Sequence, residues 1–314
     1  MEIRDFTSDD YAGIVAVRNA IYPDRPIAVA DVQHWDARYQ PSHRQGRWLA
    51  EAAGQIIAWA EYGQNAWEEG PHTYFIDCQV LPERQGQGIG GALYTTVLDA
   101  LLPLEPRQLK ASVRSDQRPA LAFAEKCGFQ ETHRHSESRL DVQAFDPAPF
   151  AGAEEWLRAA GITIHTLAEL ADDPERDRKL YACDCEVSQD VPEADSFTLP
   201  AFDEWLKDVI NHPRQPPEAF FVAMAGDQVV GFTSLLTNRT TRHLLHNGFT
   251  AVRRDYRRRG IALALKLRGI EFARAYGCHH IETGNEVRNG PMLALNNRLG
   301  FVPGPDWVSF TKHL

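Results

Sequence analysis

The chain of 314 residues contains the same strand–turn–helix corner twice, and this repeat constrains its fold more than any other feature. The first corner joins a strand-like segment at 75–80 to the glycine turn at 85–90, and an apolar helical stretch follows. The second joins a strand-like segment at 244–252 to the turn Arg-Arg-Arg-Gly-Ile-Ala at 257–262. The first turn of a helix leaves N–H groups unpaired beside partial positive charge, and glycine lets an anion approach them. Each corner therefore predicts a pyrophosphate site.

A helical segment that closes in Gly-Phe follows each corner, at 119–129 and at 289–301. Together with the spacing Gln/Arg-x-x-Gly-x-Gly/Ala in the turns, it resembles the acetyl-CoA motif of the GCN5-related N-acetyltransferase (GNAT) superfamily. The resemblance covers nearly the whole chain as two tandem modules. It implies an α+β fold around a mixed α/β sheet, acyl transfer to an amine, and acetyl-CoA as co-substrate.

A cluster of prolines and glycine at 145–152 marks the boundary between the modules. We expect an N-terminal module over 1–148 and a C-terminal module over 149–314, each large enough to bury a core of its own. The strand-like segment at 134–142 then ends the first module, and the one at 308–311 ends the second. Apolar periodicity and capping residues predict helices over 11–21, 29–39, 167–190 and 202–210.

The resemblance implies that both corners hold acetyl-CoA. The consecutive arginines of the second turn suit phosphates, including the 3′-phosphate of CoA, although arginines in such a turn can also simply be solvated. The expected cofactor-binding residues are Val80, Gln85, Gly86, Gln87, Gly88, Ile89 and Gly90 in the first module, and Val252, Arg257, Arg258, Arg259, Gly260, Ile261, Ala262 and Asn289 in the second.

The common general base of the family lies on the strand before the corner, eleven residues ahead of the Gln or Arg of the motif. In the C-terminal module this position is His246, whose imidazole titrates near neutrality. A sheet histidine that only hydrogen-bonds a neighbour is the alternative, and Glu282 on the next strand is a second candidate base. In the N-terminal module the position is Tyr74, a poor base because a tyrosine pKa is about 10. Asp77 is its rival there.

Many members of the family carry a tyrosine five residues before the phenylalanine of the Gly-Phe pair, as the acid that protonates the CoA thiolate. This chain has Ala124 and Asn296 at those positions. Asn296 can donate a hydrogen bond but supplies no proton. We predict catalysis in the C-terminal module, by His246, Glu282 and Asn296, while the N-terminal module binds acetyl-CoA or is structural.

The predicted function is an acetyl-CoA-dependent N-acetyltransferase that acts on a small-molecule primary amine. A non-catalytic acyl-CoA-binding or sensing protein and a peptide or protein N-acetyltransferase are the alternatives. We expect the loops at 22–44 and 188–217 to determine which acceptor is bound, but they contain no recognisable sequence motif. An acidic stretch in the second loop, Asp190 to Glu193 with Asp195, suits either an ammonium group or solvent.

Charge and cysteine content limit the partners and the compartment. A formal net charge of -10 argues against nucleic acid, because phosphate backbones need clustered Lys and Arg. The five cysteines and the pair His279-His280 lack metal-ligand spacing, so no metal is expected. Without a long apolar run or a signal segment, we expect a cytoplasmic enzyme with no membrane contact. It is a monomer whose modules form a pseudo-dimer, or a homodimer.

Overall fold

The structure, a computed structural model, describes residues 1–38, 43–64, 72–190 and 200–314. It divides the chain into two compact units. The N-terminal unit comprises Met1–His135 together with Pro305–Leu314, and the C-terminal unit comprises Ser136–Gly304. The borders of these units do not lie between residues 148 and 149. The predicted module boundary concerns the repeat in the sequence and stays a prediction.

In the N-terminal unit, helices alternate with the strands of one sheet. Neighbouring strands run antiparallel along the order β1-β2-β3-β4, and β4 then pairs with β5 in parallel. The elements are β1 (Glu2–Asp5), α1 (Tyr11–Ile21), α2 (Val29–Asp36), β2 (Gln45–Ala52), β3 (Gln55–Gly63), β4 (Thr73–Val80), α3 (Ile89–Leu101), β5 (Gln108–Arg114), α4 (Arg118–Lys126) and the first half of β6 (Gln130–Asp141).

The C-terminal unit repeats this order of elements. Its sheet runs β7-β8-β9-β10-β11 and is joined by the second half of β6, with β10 and β11 parallel. The elements are α5 (Ala153–Ala159), β7 (Ile162–Thr166), α6 (Arg176–Ser188), α7 (Phe202–Trp205), β8 (Phe220–Ala225), β9 (Gln228–Thr237), β10 (Leu244–Val252), α8 (Ile261–Tyr276), β11 (His280–Glu286), α9 (Gly290–Arg298) and β12 (Val302–Pro303).

The last strand, β13 (Trp307–His313), belongs to the N-terminal unit. It pairs antiparallel with β5 on one side and with the first half of β6 on the other. The prediction that the strand at 308–311 ends the second module is therefore wrong. Val308 and Phe310 are buried in the core of the N-terminal unit, and this long-range burial decides where the strand pairs.

The helix after each corner buries one apolar stripe under its sheet. In α3 the buried residues recur every fourth position, and α8 buries the corresponding face, so each helix N-terminus is fixed beside its turn. The stripe of α3 consists of Ile89, Leu93, Val97 and Leu101.

Within the described ranges, no helix is long and apolar enough to cross a membrane.

Three predicted helices are shorter in the structure. The helix expected over 29–39 ends at Asp36, and residue 39 lies outside the described residues. The helix expected over 167–190 begins only at Arg176, because Pro174 interrupts the preceding turns. The helix expected over 202–210 ends at Trp205, and a π-turn over Leu206–Ile210 follows.

We expect Phe310→Ala to lower the free energy of unfolding by about 3–5 kcal/mol, because its ring is 3% exposed in the core of the N-terminal unit. Urea denaturation measures this loss, and amide exchange should quicken in β5, which β13 pairs with. Val302→Ala is the matched control, since Val302 is 66% exposed. Faster exchange in β11 instead of β5 would contradict the observed pairing.

Candidate functional site

The first corner joins β4 to α3 through two glycines in the left-handed conformation. Gly86 has φ +74° and Gly88 has φ +83°, values that residues with a Cβ rarely adopt. A Cβ on either glycine would enter open space, so a ligand can approach this backbone. The Gln85 side chain closes the turn, because its Nε2 donates to the Val80 carbonyl over 3.1 Å. The first N–H groups of α3 have no partner within the helix and are available to an anion.

The second corner has the same construction. Arg257 Nε donates to the Val252 carbonyl over 2.9 Å, in the way that Gln85 closes the first turn. Gly260 has φ +86° and open space where a Cβ would lie, and α8 begins at the next residue. The Gln or Arg of the motif thus holds the turn together, and the glycine backbone is the part left open for a diphosphate.

A protein carboxylate holds the arginines of the second corner. Arg254 Nε donates to the two oxygens of Asp190 over 2.8 and 2.9 Å, and Arg257 also donates to this carboxylate. The Arg254 and Arg257 guanidiniums keep the pKa of Asp190 below its ordinary value. The other acidic residues of the predicted stretch, Glu193 and Asp195, lie outside the described residues.

A cleft opens in the N-terminal unit where its two parallel strands separate. Pairing of β4 with β5 covers only the residue pairs from Thr73–Gln108 to Phe75–Lys110. Beyond them a cleft of about 90 Å³ extends from the first corner to the end of α1. Its lining includes Ile21, Tyr22, Asp77, Val80, Gln85, Tyr94, Ser112, Phe123, Ala124 and Phe129.

Two carboxylates face each other across β3 and β4 beside this cleft. Asp77 lines it and lies opposite Glu61 in the strand register. Burial raises the pKa of Asp77, although Gln79 Nε2 donates to its carboxylate over 2.8 Å. Burial also raises the pKa of Glu61 to about 7, against the opposing effect of Arg47, which donates to Glu61 over 2.6 Å. Arg47 also donates to Asp36 over 2.9 Å. The cleft is therefore lined by one carboxylate with a raised pKa, Asp77, and the second, Glu61, lies opposite it on the neighbouring strand.

Tyr94 is a candidate proton donor that the sequence analysis missed. Its side chain lines the cleft from α3, and its hydroxyl accepts a hydrogen bond from Lys312 Nζ over 3.1 Å. Lys312 lies on β13, so the strand from the end of the chain contributes to this site. The predicted acid position, Ala124, lines the same cleft without a polar group.

The predicted catalytic residues of the C-terminal unit are largely engaged with other protein groups. His246 is half-buried and lies opposite Glu282 in the register of β10 and β11. Glu282 is 7% exposed and accepts a hydrogen bond from Arg139 Nε over 3.1 Å. Asn296 is 1% exposed and donates to Asn285 over 2.6 Å. The structure brings His246 and Glu282 together, but Glu282 already forms an ion pair.

Two further residues that the sequence singled out, Asn289 and Tyr74, contribute to capping and packing in the structure. Asn289, predicted to bind the cofactor, caps α9 by accepting from the Met292 amide over 3.4 Å. Tyr74 is buried and packs edge-on against Tyr62. Glu61 could have been found from sequence, because it is the one charged residue within an otherwise apolar run at 56–62. Arg47 lies opposite Glu61 in the register of β2 and β3.

The comparison with known families agrees with this geometry. The model of the acetyltransferase (GNAT) family matches residues 13–129 and 186–301, one match for each corner. Because these matches cover most of the chain, the protein belongs to the GNAT acetyltransferase family, whose members use acyl-CoA. It is thus a GNAT-type acetyltransferase with two modules in tandem.

Several relatives resemble the chain over much of its length. It is 23% identical to the mycothiol acetyltransferase of Streptomyces scabiei, over 95% of this chain and 90% of that protein. It is 26% identical to the L-methionine sulfoximine/L-methionine sulfone acetyltransferase of Pseudomonas paraeruginosa, over 41% of this chain and 79% of that protein. A tandem GNAT protein from the clavulanic acid biosynthesis pathway has a TM-score of 0.77 at 19% identity, covering 99% of this chain and 98% of that one, and shares the fold.

Calorimetric titration with acetyl-CoA counts the corners that bind. We expect two sites in the native chain and one in Gly88→Glu or Gly260→Glu. A side chain at positive φ costs about 1–2 kcal/mol, and an added carboxylate repels a diphosphate. Gly152→Glu is the matched control, because Gly152 also has positive φ and open space but lies outside both corners. Two sites in a corner variant would contradict the assignment of that corner.

Asp190→Asn should tighten acetyl-CoA binding at the second corner, by roughly fivefold, because it releases two arginines from a competing anion. The titration uses the Gly88→Glu background, so that only the second corner is measured. Glu186→Gln serves as control, since Glu186 pairs with Arg253 instead. Weaker binding in Asp190→Asn would mean that Asp190 orients the arginines for the ligand.

Proposed function

We propose that the protein transfers an acetyl group from acetyl-CoA to a small-molecule primary amine, and that the chemistry takes place in the N-terminal unit. The observation that carries this proposal is the cleft that connects the first corner, at Gln85, with the carboxylate of Asp77. A small acceptor is supported by the names of two relatives, a mycothiol acetyltransferase and an L-methionine sulfoximine/L-methionine sulfone acetyltransferase.

The residues of the cleft suit the proton movements of the reaction. As the amine nitrogen bonds to the acetyl carbon and the bond from that carbon to sulfur breaks, the nitrogen must lose a proton. Asp77 suits this role, because a base with a raised pKa accepts a proton more readily near neutrality. Tyr94 suits the departing sulfur, since its hydroxyl accepts from Lys312 and keeps its own proton to donate. Holding both reactants in one cleft supplies much of the remaining rate.

The C-terminal unit has less support as the catalytic unit, although His246 stays the predicted base there. The side chains expected to assist it, Glu282 and Asn296, bond to other protein groups. We therefore assign to the second corner the binding of acetyl-CoA without turnover. This proposal is the reverse of the prediction from the sequence, which places catalysis in the C-terminal module.

Asp77→Asn should lower kcat at least about a hundredfold while acetyl-CoA still binds, because the amide cannot accept the proton. The assay follows release of the CoA thiol with a panel of amines that includes amino acids, polyamines and aminosugars. His246→Ala is the competing variant and should leave kcat within about twofold of the native value. Loss of turnover in His246→Ala with full activity in Asp77→Asn would move the chemistry to the C-terminal unit.

Glu61→Gln should move the acid limb of the kcat/KM profile to lower pH. The like charge of Asp77 raises the pKa of Glu61, and the electrostatic coupling of two neighbouring carboxylates acts in both directions. The substitution also leaves Arg47, which lowers the pKa of Asp77, freer to stabilise that carboxylate. The charged groups around Asp77 are Arg18 and Arg47, with Asp36 beyond the latter. Activity is lost as pH falls, because the protonated carboxyl accepts no proton. The same amine is used for both proteins. An acid limb that stays at the same pH or moves to higher pH would contradict the electrostatic coupling of Glu61 and Asp77.

A further inference from the structure

We propose that the acceptor is an amino acid, whose carboxylate binds Arg18 while its amino group faces Asp77. This inference rests on the proposed function and adds the class of substrate to it. It follows from the position of Arg18 next to Tyr22 of the cleft lining, from the lack of an ion pair between Arg18 and any described carboxylate, and from the opposite charge of Asp77.

Arg18 lies next to Tyr22, one of the residues that line the cleft. Gln85, at the first corner, and Ile21 and Tyr22, at the end of α1, line the same cleft. The Arg18 guanidinium lies 5.4 Å from the centre of the Tyr22 ring, one helical turn back along α1.

The charge of Arg18 is compensated only in part, by the nearby charges of Asp77 and Asp31. Its one hydrogen bond donates from Nη1 to the Arg25 carbonyl over 3.2 Å, and no carboxylate among the described residues forms an ion pair with it. Other arginines of this unit each bind two carboxylates. For example, Arg47 pairs with Asp36 and Glu61, and Arg114 pairs with Asp24 and Asp116.

Desolvation lowers the pKa of Arg18 below its ordinary value, so the side chain has already lost much of its water. A cation that is desolvated and unpaired destabilises the fold, and a ligand carboxylate would relieve that cost. A guanidinium binds a carboxylate through two parallel hydrogen bonds, which also fix its orientation.

The charges of the site match a zwitterion. Asp77 is near enough for its charge to favour the charged form of Arg18, so one ligand can meet both groups. An amine without an acidic group would satisfy Asp77 and leave Arg18 desolvated. An amino acid satisfies both, and its ammonium group is delivered beside the group that takes its proton.

The first test compares each amino acid with its own amide, which keeps the amine and the side chain but lacks the negative charge. Thiol release is measured for the common α-amino acids, for β-alanine and for their amides. We expect the best amino acid to exceed its amide by about tenfold or more in kcat/KM. Equal or better turnover of the amide would overturn the inference and leave the proposed acetyltransferase function standing.

The second test uses variants of Arg18 with the preferred amino acid. Arg18→Gln should raise KM about ten- to hundredfold with a smaller change in kcat, and should abolish the preference over the amide. Arg18→Lys should restore part of the affinity, because it keeps the charge but not the paired hydrogen bonds. Arg158→Gln is the matched control, since Arg158 is exposed on α5, and it should change neither constant.

Thermal unfolding separates a binding role from a structural one. Arg18→Gln should leave Tm unchanged or raise it, because it removes a desolvated, unpaired charge. A lower Tm together with unchanged KM would overturn the inference. Failure of every amine in the panel, with acetyl-CoA still bound, would contradict the proposed function itself, and this inference would fall with it.

Discussion

The candidate site depends on one interruption of backbone pairing. In the N-terminal unit, β4 and β5 stay paired only as far as Phe75 and Lys110, and then separate. The separation leaves the edges of both strands unpaired and opens the cleft that Asp77 lines. Unpaired backbone at such a gap can bind an extended ligand as an added strand would. In the C-terminal unit the parallel pairing likewise stops, after Asn247 and Thr283. The same scaffold is thus present twice.

The two units differ in the polar side chains that this scaffold carries. Gln85 and Arg257 are the motif residues from which positions in the two units can be matched. At the same distance ahead of them, Asp77 is matched by Phe249 and Glu61 by Thr233. The carboxylate pair of the N-terminal unit therefore has no counterpart at these positions in the C-terminal unit. Proton transfer needs such groups, whereas diphosphate binding needs only the glycine backbone and the helix terminus. This difference in side chains supports the proposal that the two units have different roles.

The sequence predicts the features that short stretches of chain determine. The two corners, their helices and the strands before them follow from periodicity and glycine placement, and the structure has them where Gly88 and Gly260 indicate. The pairing of β13 with β5 could not be predicted, because the apolar alternation of a strand does not specify its partner. The contact of Asp190 with Arg257 joins residues far apart in sequence, and no local pattern indicates it.

Two desolvated cations show why burial alone does not define a binding site. Lys266 is 4% exposed, and burial lowers its pKa to about 7. It donates to Asn247, lies 5.4 Å from the ring centre of Phe301, and borders a cavity of only about 10 Å³, too small for more than a water. The protein itself satisfies this amine, so its role is to hold α8 against β10. Arg18 is half-buried next to Tyr22 of a larger cleft, and no carboxylate among the described residues forms an ion pair with it. An unmet charge next to accessible space has a ligand as its natural complement, and this combination distinguishes a recognition residue from a core residue.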